Sequence, residues 1–129
     1  MTPTLAPTPA ILGTSMLGLG IYRILSPRQA YTLFGLPFPQ PPRDTPSPFI
    51  YNCAGRDLTL GAAYLLLGAQ KNREGLRALV LATAIAAHAD ALTVWVHGGG
   101  EYGGWRGKWV GHALGGVLLV AVACKGWGL

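Results

Sequence analysis

Charged side chains are scarce in this sequence, 12% of its 129 residues, about half the quarter that soluble domains carry. Half of the residues are hydrophobic and the mean hydropathy is positive. Together these argue against an ordinary soluble domain, and no apolar segment has the broad charged face that a soluble helical bundle presents to water. Cysteine is nearly absent, with only Cys53 and Cys124. In an alternating bundle of four helices these two differ in depth by roughly 20 Å at 1.5 Å rise per residue. A disulfide needs Cα atoms about 6 Å apart, so no bridge forms within the chain. The net charge of +5 comes without a basic stripe, which removes the nucleic-acid reading. Gly98–Gly100 and Gly103-Gly104 are not followed by Gly-Lys-Ser/Thr, so no phosphate-binding loop is indicated. Ser15 and Ser26 lack a nucleophile-elbow context. No pattern for haem, flavin or quinone is visible, no internal repeat stands out, and no cofactor is expected.

What the chain does have is four apolar segments, about 9–25, 49–69, 75–97 and 106–124. Each is near the roughly 20 residues that cross about 30 Å of hydrocarbon. The expected fold is therefore all-α, an integral membrane four-helix bundle forming one domain over residues 1–129. The first segment lacks a basic leader and a small-residue cleavage site, which reads as a retained helix, not a signal peptide. Met1–Thr8 reads as a proline-rich tail. Ser26-Pro27 ends the first helix, and residues 28–34 predict a short amphipathic segment at the interface, with Tyr31 and Phe34 as anchors. Gly35 to Pro42 cannot be helical and predicts extended chain over one mouth of the bundle, as a linker or a lid. Gly13, Gly18 and Gly20 suit close helix packing, as does the ladder Gly107, Gly111 and Gly115, which also offers a face for a homo-oligomer. Trp105, Trp109 and Trp127 belong near the interfaces. Orientation stays open: Lys71, Arg73, Arg77 and Lys125 on one side balance Arg23, Arg28, Arg43, Arg106 and Lys108 on the other, and the positive-inside rule needs an asymmetry.

The polar exceptions inside these segments carry the functional reading. Ionisable residues within membrane spans are costly and mark sites. Counting from the mouth at 1.5 Å per residue puts Arg56 and Asp57 about 12–14 Å down, and Asp90 and His112 roughly 10 Å down. The expectation is one layer built from three helices, with Asp57, Asp90, Arg56 and His112 as catalytic candidates and Asn52, His97 and Tyr64 as substrate-binding candidates. His88, nearly opposite Asp90 on its helix, reads as a packing residue. The competing architectural reading is an Arg56–Asp90 ion pair that fixes helix register, with Asp57 bonded to His112. An iron or zinc held by His97, His112 and Asp90 is a further alternative, although the histidines lack compact helical metal spacing.

Phe34-Gly35-Leu36-Pro37, Gly55-Arg56-Asp57-Leu58 with Gly61, Asp90-Ala91-Leu92 with His97-Gly98-Gly99, and Gly111-His112 run in order over most of the chain. In these pieces the chain resembles a family of small four-helix membrane proteins of bacteria and fungi, catalogued chiefly as a domain of unknown function. The extra proline between Phe38 and Pro42 departs from the family pattern. The resemblance implies a link to tailoring of polyketide or terpenoid products in some fungal members, and in a fungal host a location in the endoplasmic reticulum. With two carboxylates, a guanidinium and an imidazole, the chemistry expected is acid–base, most specifically epoxide hydrolysis or epoxide-opening cyclisation of a lipophilic metabolite. One carboxylate, kept protonated by desolvation, would be the acid and the other, held ionised by Arg56, the base. Asp57 is assigned as the acid and Asp90 as the base, with His112 orienting either, and the two roles are exchangeable. The alternatives are an oxygenase of a phenolic polyketide and a non-catalytic scaffold or carrier. The partners expected are membrane lipid and a lipophilic small molecule.

Overall fold

A computed structural model gives the architecture and describes residues 5–40 and 45–129. Among these residues the chain is all-α, with no strand. The elements are α1 (Pro7–Leu25), α2 (Pro27–Phe34), α3 (Phe49–Ala69), α4 (Arg73–His97), α5 (Gly99–Tyr102), a 3-10 turn (Gly104–Arg106) and α6 (Trp109–Lys125). Prolines open the first two helices, where a missing N–H costs nothing: Pro7 starts α1 and Pro27 starts α2. The expected tail is thus partly helical, since Pro7 and Thr8 belong to α1; residues 1–4 lie outside the described chain. Asn72 caps α4 by accepting from the Gly75 N–H at 2.9 Å, which moves that helix start to Arg73. The last helix begins at Trp109 instead of residue 106, because Gly107 turns left-handed (φ 81°) after the 3-10 turn. The segment after Gly35 carries no regular structure through Gln40; Pro41, Pro42 and Arg43 lie outside the described residues.

The four long helices pack as two pairs. α1 lies along α3, and α4 along α6, far more extensively than the pairs touch each other. Glycine makes the first pair close. A Cβ on Gly61 would sit 2.8 Å from the Gly13 carbonyl oxygen, and one on Gly20 2.9 Å from that of Ala54. Such backbone approach is how helices associate where side-chain hydrophobicity gives no preference. Gly18, expected to share this role, faces open space instead. In the second pair the contact is Gly116 against the His88 ring, so His88 is a packing residue. The ladder differs from expectation: a Cβ added at Gly111 or Gly115 would meet no neighbouring helix within 4 Å.

Apolar cores sit at the two ends. At the end where α3 passes into α4, Tyr64, Leu76, Val80, Ala123 and Leu129 are buried together. There Arg77 Nε donates to the Ala123 carbonyl (2.8 Å), satisfying one of the last carbonyls of α6. The N-terminus of α1 is pinned to the chain end as Thr8 N donates to Gly128 O (3.2 Å) and Thr8 Oγ1 to Trp127 O (2.8 Å). At the other end, the mouth, α2 folds over the bundle and buries Ala30 and Tyr31 against Ile50. Between these two cores lies a polar layer.

Two helices, α1 and α4, are long and apolar enough to cross a membrane by length and composition; α6 is apolar but shorter. Cys53 and Cys124 are both free thiols.

Candidate functional site

The polar layer is a chain of charges across three helices. Arg56 of α3 clamps Asp90 of α4 with two bonds, Nη1 to Oδ1 at 3.1 Å and Nη2 to Oδ2 at 3.0 Å. Its Nε reaches back to Asp57 Oδ1 at 3.4 Å. On the far side of Asp57 stands Arg23 of α1, with Nε 2.9 Å from Asp57 Oδ2. The order is Arg23, Asp57, Arg56, Asp90, alternating in sign. The two halves differ in exposure: side chains are 5% and 2% exposed at Arg23 and Asp57, but 36% and 18% at Arg56 and Asp90. The forked guanidinium matches a carboxylate edge with two parallel N–H donors, so Asp90 is held firmly yet keeps an open face.

The deep half is incompletely satisfied. Arg23 Nη1 and Asp57 Oδ2 are buried without a hydrogen-bond partner, the charge contact between Nε and Oδ2 lacking hydrogen-bond alignment. Unmade bonds on buried charged groups are costly. One is a donor and the other a carboxyl oxygen, within the span of one guanidinium.

His112 of α6 stands beside this chain of charges and is not bonded into it. Its Nε2 lies 2.9 Å from the Phe34 carbonyl oxygen. A carbonyl only accepts, so Nε2 carries the proton in this bond. The bond fixes the end of α2, and the Phe34 ring packs on His112 (centroids 4.9 Å apart) and under the Arg23 guanidinium (5.2 Å). The architectural reading pairs Asp57 with His112; the structure pairs it with Arg23.

Two cavities flank the layer and share Arg23, Arg56 and Asp90 as their common wall. The mouth cavity, about 180 Å³, is otherwise lined by α2, the chain beside it and the start of α3, among them Tyr31, Phe34, Phe49, Ile50 and Cys53, and by Thr93 of α4, which does not border the inner cavity. The inner cavity, about 220 Å³, is bounded by all four long helices. Asp57 and His112 border only the inner one, with Met16 and Leu19 of α1 and Gly111, Gly115 and Leu119 of α6.

Of the seven candidate residues, Arg56, Asp57, Asp90 and His112 meet at this place. Asn52 and His97 are exposed and line neither cavity. Asn52 shares a side of α3 with Arg56 by spacing, but it lies a turn nearer the mouth, on the outside. His97 ends α4, beyond the layer. Tyr64 is fully buried in the far core: Thr83 donates to the Leu79 carbonyl (2.8 Å), leaving the Tyr64 hydroxyl to donate to Thr83 Oγ1 (2.7 Å). Thr83, not Tyr64, borders the inner cavity. Among the described residues no three His, Cys, Asp or Glu side chains gather as a metal site, so His97, His112 and Asp90 do not form the proposed triad.

Arg23 is the functional residue that sequence reasoning missed, because it sits near a helix end and counted as a loop charge. A signal was present. Pro9, Gly13, Met16, Gly20 and Arg23 recur at steps of four and three, one stripe of a helix, and the buried glycines on it point Arg23 inward.

A buried alternating charge layer between two helix pairs, walled by two cavities, defines a small all-α protein with a polar centre. The chain belongs to the family described as a domain of unknown function, DUF4267, whose sequence model matches residues 13–126. That range contains the whole charge layer. No curated protein and no solved structure matches the chain.

Proposed function

We propose that this protein is a membrane-embedded acid–base enzyme that opens an epoxide on a lipophilic small molecule, by water or by an internal hydroxyl. The membrane part of the reading rests on the outer surface. Ile11, Ile21, Leu81, Ile85, Leu92, Leu114, Val117 and Leu118 are exposed along the helices. The described charges outside the layer collect at the ends, Arg28, Glu101, Arg106 and Lys108 near the mouth and Lys71, Arg73, Glu74, Arg77 and Lys125 opposite. Trp105 and Trp127, both exposed, stand one at each end, as interfacial aromatics do.

The chemical part rests on one observation: the two buried atoms left without a hydrogen bond, Asp57 Oδ2 and Arg23 Nη1, belong to residues that line the same cavity as a carboxylate that Arg56 holds from one edge only. In the catalytic cycle Asp57 carries a proton that it lacks in the ion-paired layer; an epoxide oxygen placed between the first two receives that proton and a hydrogen bond from Arg23. Asp90, on the wall common to both cavities, takes the proton from the attacking water. The water oxygen bonds to carbon, the C–O bond of the ring breaks toward the oxygen, and a diol results. One proton has left Asp57 and one has arrived at Asp90; its return resets the site. Positioned proton transfer of this type contributes about 10²–10⁴-fold each.

The test is turnover of an epoxidised polyene by membranes carrying Asp57→Asn or Asp90→Asn. Loss of diol or cyclised product of at least 10²-fold in each is expected; full activity in both ends the proposal. A second reading, a non-catalytic scaffold or carrier, is favoured by the mutual compensation of the four charges. It predicts changed stability or oligomeric state in these variants with an unchanged product profile.

A further inference from the structure

We infer that the substrate comes to the charge layer sideways, between α1 and α6, while water comes to it from the mouth. The inference rests on the acid–base reading for the chemistry but on independent features for the route. Asp57 borders the inner cavity and not the mouth cavity, so an oxygen that meets both unpartnered atoms lies on the inner side. Arg23, which carries the unpartnered donor, is 95% buried, its residue exposure being 5%.

The α1–α6 side is the open flank of the inner cavity, since α1 packs on α3 and α6 on α4 with little direct contact between α1 and α6. These helices are joined near one end by the bonds of Thr8 to Trp127 and Gly128, and near the other through α2, where Phe34 O accepts from His112. Beside the His112 tie and one turn below it, the edge of α6 is Gly111 and Gly115, and a Cβ at either would meet nothing within 4 Å. The rest of the rim is Met16, Leu19 and Leu119. An opening framed by glycine, methionine and leucine on an apolar flank admits a lipid-dissolved molecule and offers nothing to a charged one. At its inner end stands a donor without an acceptor. The occupant is therefore a lipophile carrying an acceptor oxygen, an epoxide or ketone, and not a hydrocarbon. The mouth cavity, rimmed by Ser47 and bordered by Asp90 but not by Asp57, is left to supply water to the base.

The probe is 2-undecanone labelled with ¹³C at the carbonyl, in phosphatidylcholine vesicles holding the full chain, read by infrared spectroscopy. A ketone bonded to a guanidinium shows a second carbonyl band below that of the lipid-dissolved ketone. This band is expected in the wild type, in Gly115→Ala, and in Thr93→Phe, which narrows the mouth cavity only. It is expected to weaken at least tenfold in titration with Gly115→Leu and Gly111→Leu, which fill the flank, and with Arg23→Lys, which removes the second nitrogen of the fork. Absence of the band in the wild type, its survival in both leucine variants, or its loss in Thr93→Phe would overturn the side route. Thermal unfolding in detergent confirms that each variant is folded before its band is read. The two proposals fail separately: unchanged turnover in Asp57→Asn and Asp90→Asn removes the chemistry and leaves the cleft, whereas the infrared result removes the cleft without touching turnover.

Discussion

Replacing Arg23 with methionine tests whether the deep half of the charge layer is one coupled unit. The side chain keeps its apolar stem, but the guanidinium that faces Asp57 at 2.9 Å is gone. Asp57 is then left 2% exposed with a single weak partner, Arg56 Nε at 3.4 Å. Breaking a buried ion pair by removing one member costs about 3–5 kcal/mol, because a charge stays behind without compensation. The shallow half is different. Asp90→Asn leaves Arg56 half-exposed and still able to bond an amide oxygen, so the loss is closer to that of one charge-assisted hydrogen bond, about 1.5–3 kcal/mol. The double variant Arg23→Met/Asp57→Leu removes both buried charges and should regain most of the stability lost by Arg23→Met. Denaturant or thermal unfolding in detergent micelles, followed by circular dichroism, measures all three. If Arg23→Met costs less than about 1 kcal/mol, or the double variant is no better than the single, the two residues are not the coupled pair that their geometry implies.

At the α1–α3 crossing, Gly61→Ala puts a methyl group 2.8 Å from the Gly13 carbonyl and should destabilise by about 1–3 kcal/mol. Gly18→Ala, in open space, should be neutral or stabilising by up to about 1 kcal/mol; the pair of melting curves decides it. Tyr64→Phe should cost only about 0.5–1.5 kcal/mol, since Thr83 keeps its bond to Leu79 and no group is orphaned, and it should leave turnover unchanged. His112→Phe removes the bond that holds the end of α2; amide hydrogen exchange of residues 27–34 should rise by about tenfold, while α1 and α3 keep their protection.

Helix positions were legible because long apolar runs punctuated by Pro, Asn-Arg and Gly clusters leave few alternatives, and the short α2 was visible as an amphipathic stretch after Ser26-Pro27. Depth was legible too, since counting along regular helices brings Arg56, Asp57 and Asp90 to one level. What counting along single helices cannot give is the rotation of one helix against another. Asn52 and Arg56 share a face by spacing, yet the close α1–α3 packing turns Asn52 outward. Tyr64 lies on the buried side but two turns below the layer, where its hydroxyl serves Thr83. The glycines misled for a related reason. Small residues permit close approach but do not say who approaches: Gly13 and Gly61 receive a helix, whereas Gly111 and Gly115 border space. Arg23 was hidden by its place near a helix end, although two carboxylates and one arginine in a buried layer leave one negative charge without a partner.

The arrangement of the bundle explains why so costly a group of residues stands at its middle. The α1–α3 pair closes on glycine and the α4–α6 pair on Gly116 and His88, and each pair is nearly self-sufficient. Among the described residues a buried apolar cluster joins the pairs at one end, around Tyr64 and Leu76, while at the other end Tyr31 of α2 packs on Ile50 of α3. The clamp from Arg56 to Asp90 is the polar tie that spans α3 and α4 midway. Apolar side chains there would close the cavities, and in the membrane setting proposed for this chain they would gain little by doing so, because lipid is as apolar as a leucine. A charge clamp can hold two helix pairs at a distance with space on either side, and hydrophobic packing cannot. It follows that Arg56→Met combined with Asp90→Leu should be tolerated for folding but should shrink the cavities. A variant that keeps its melting temperature, loses the shifted ketone band and loses turnover would show that the clamp holds the site open as well as taking part in its chemistry. Retention of both the band and the turnover would mean that neither role belongs to it.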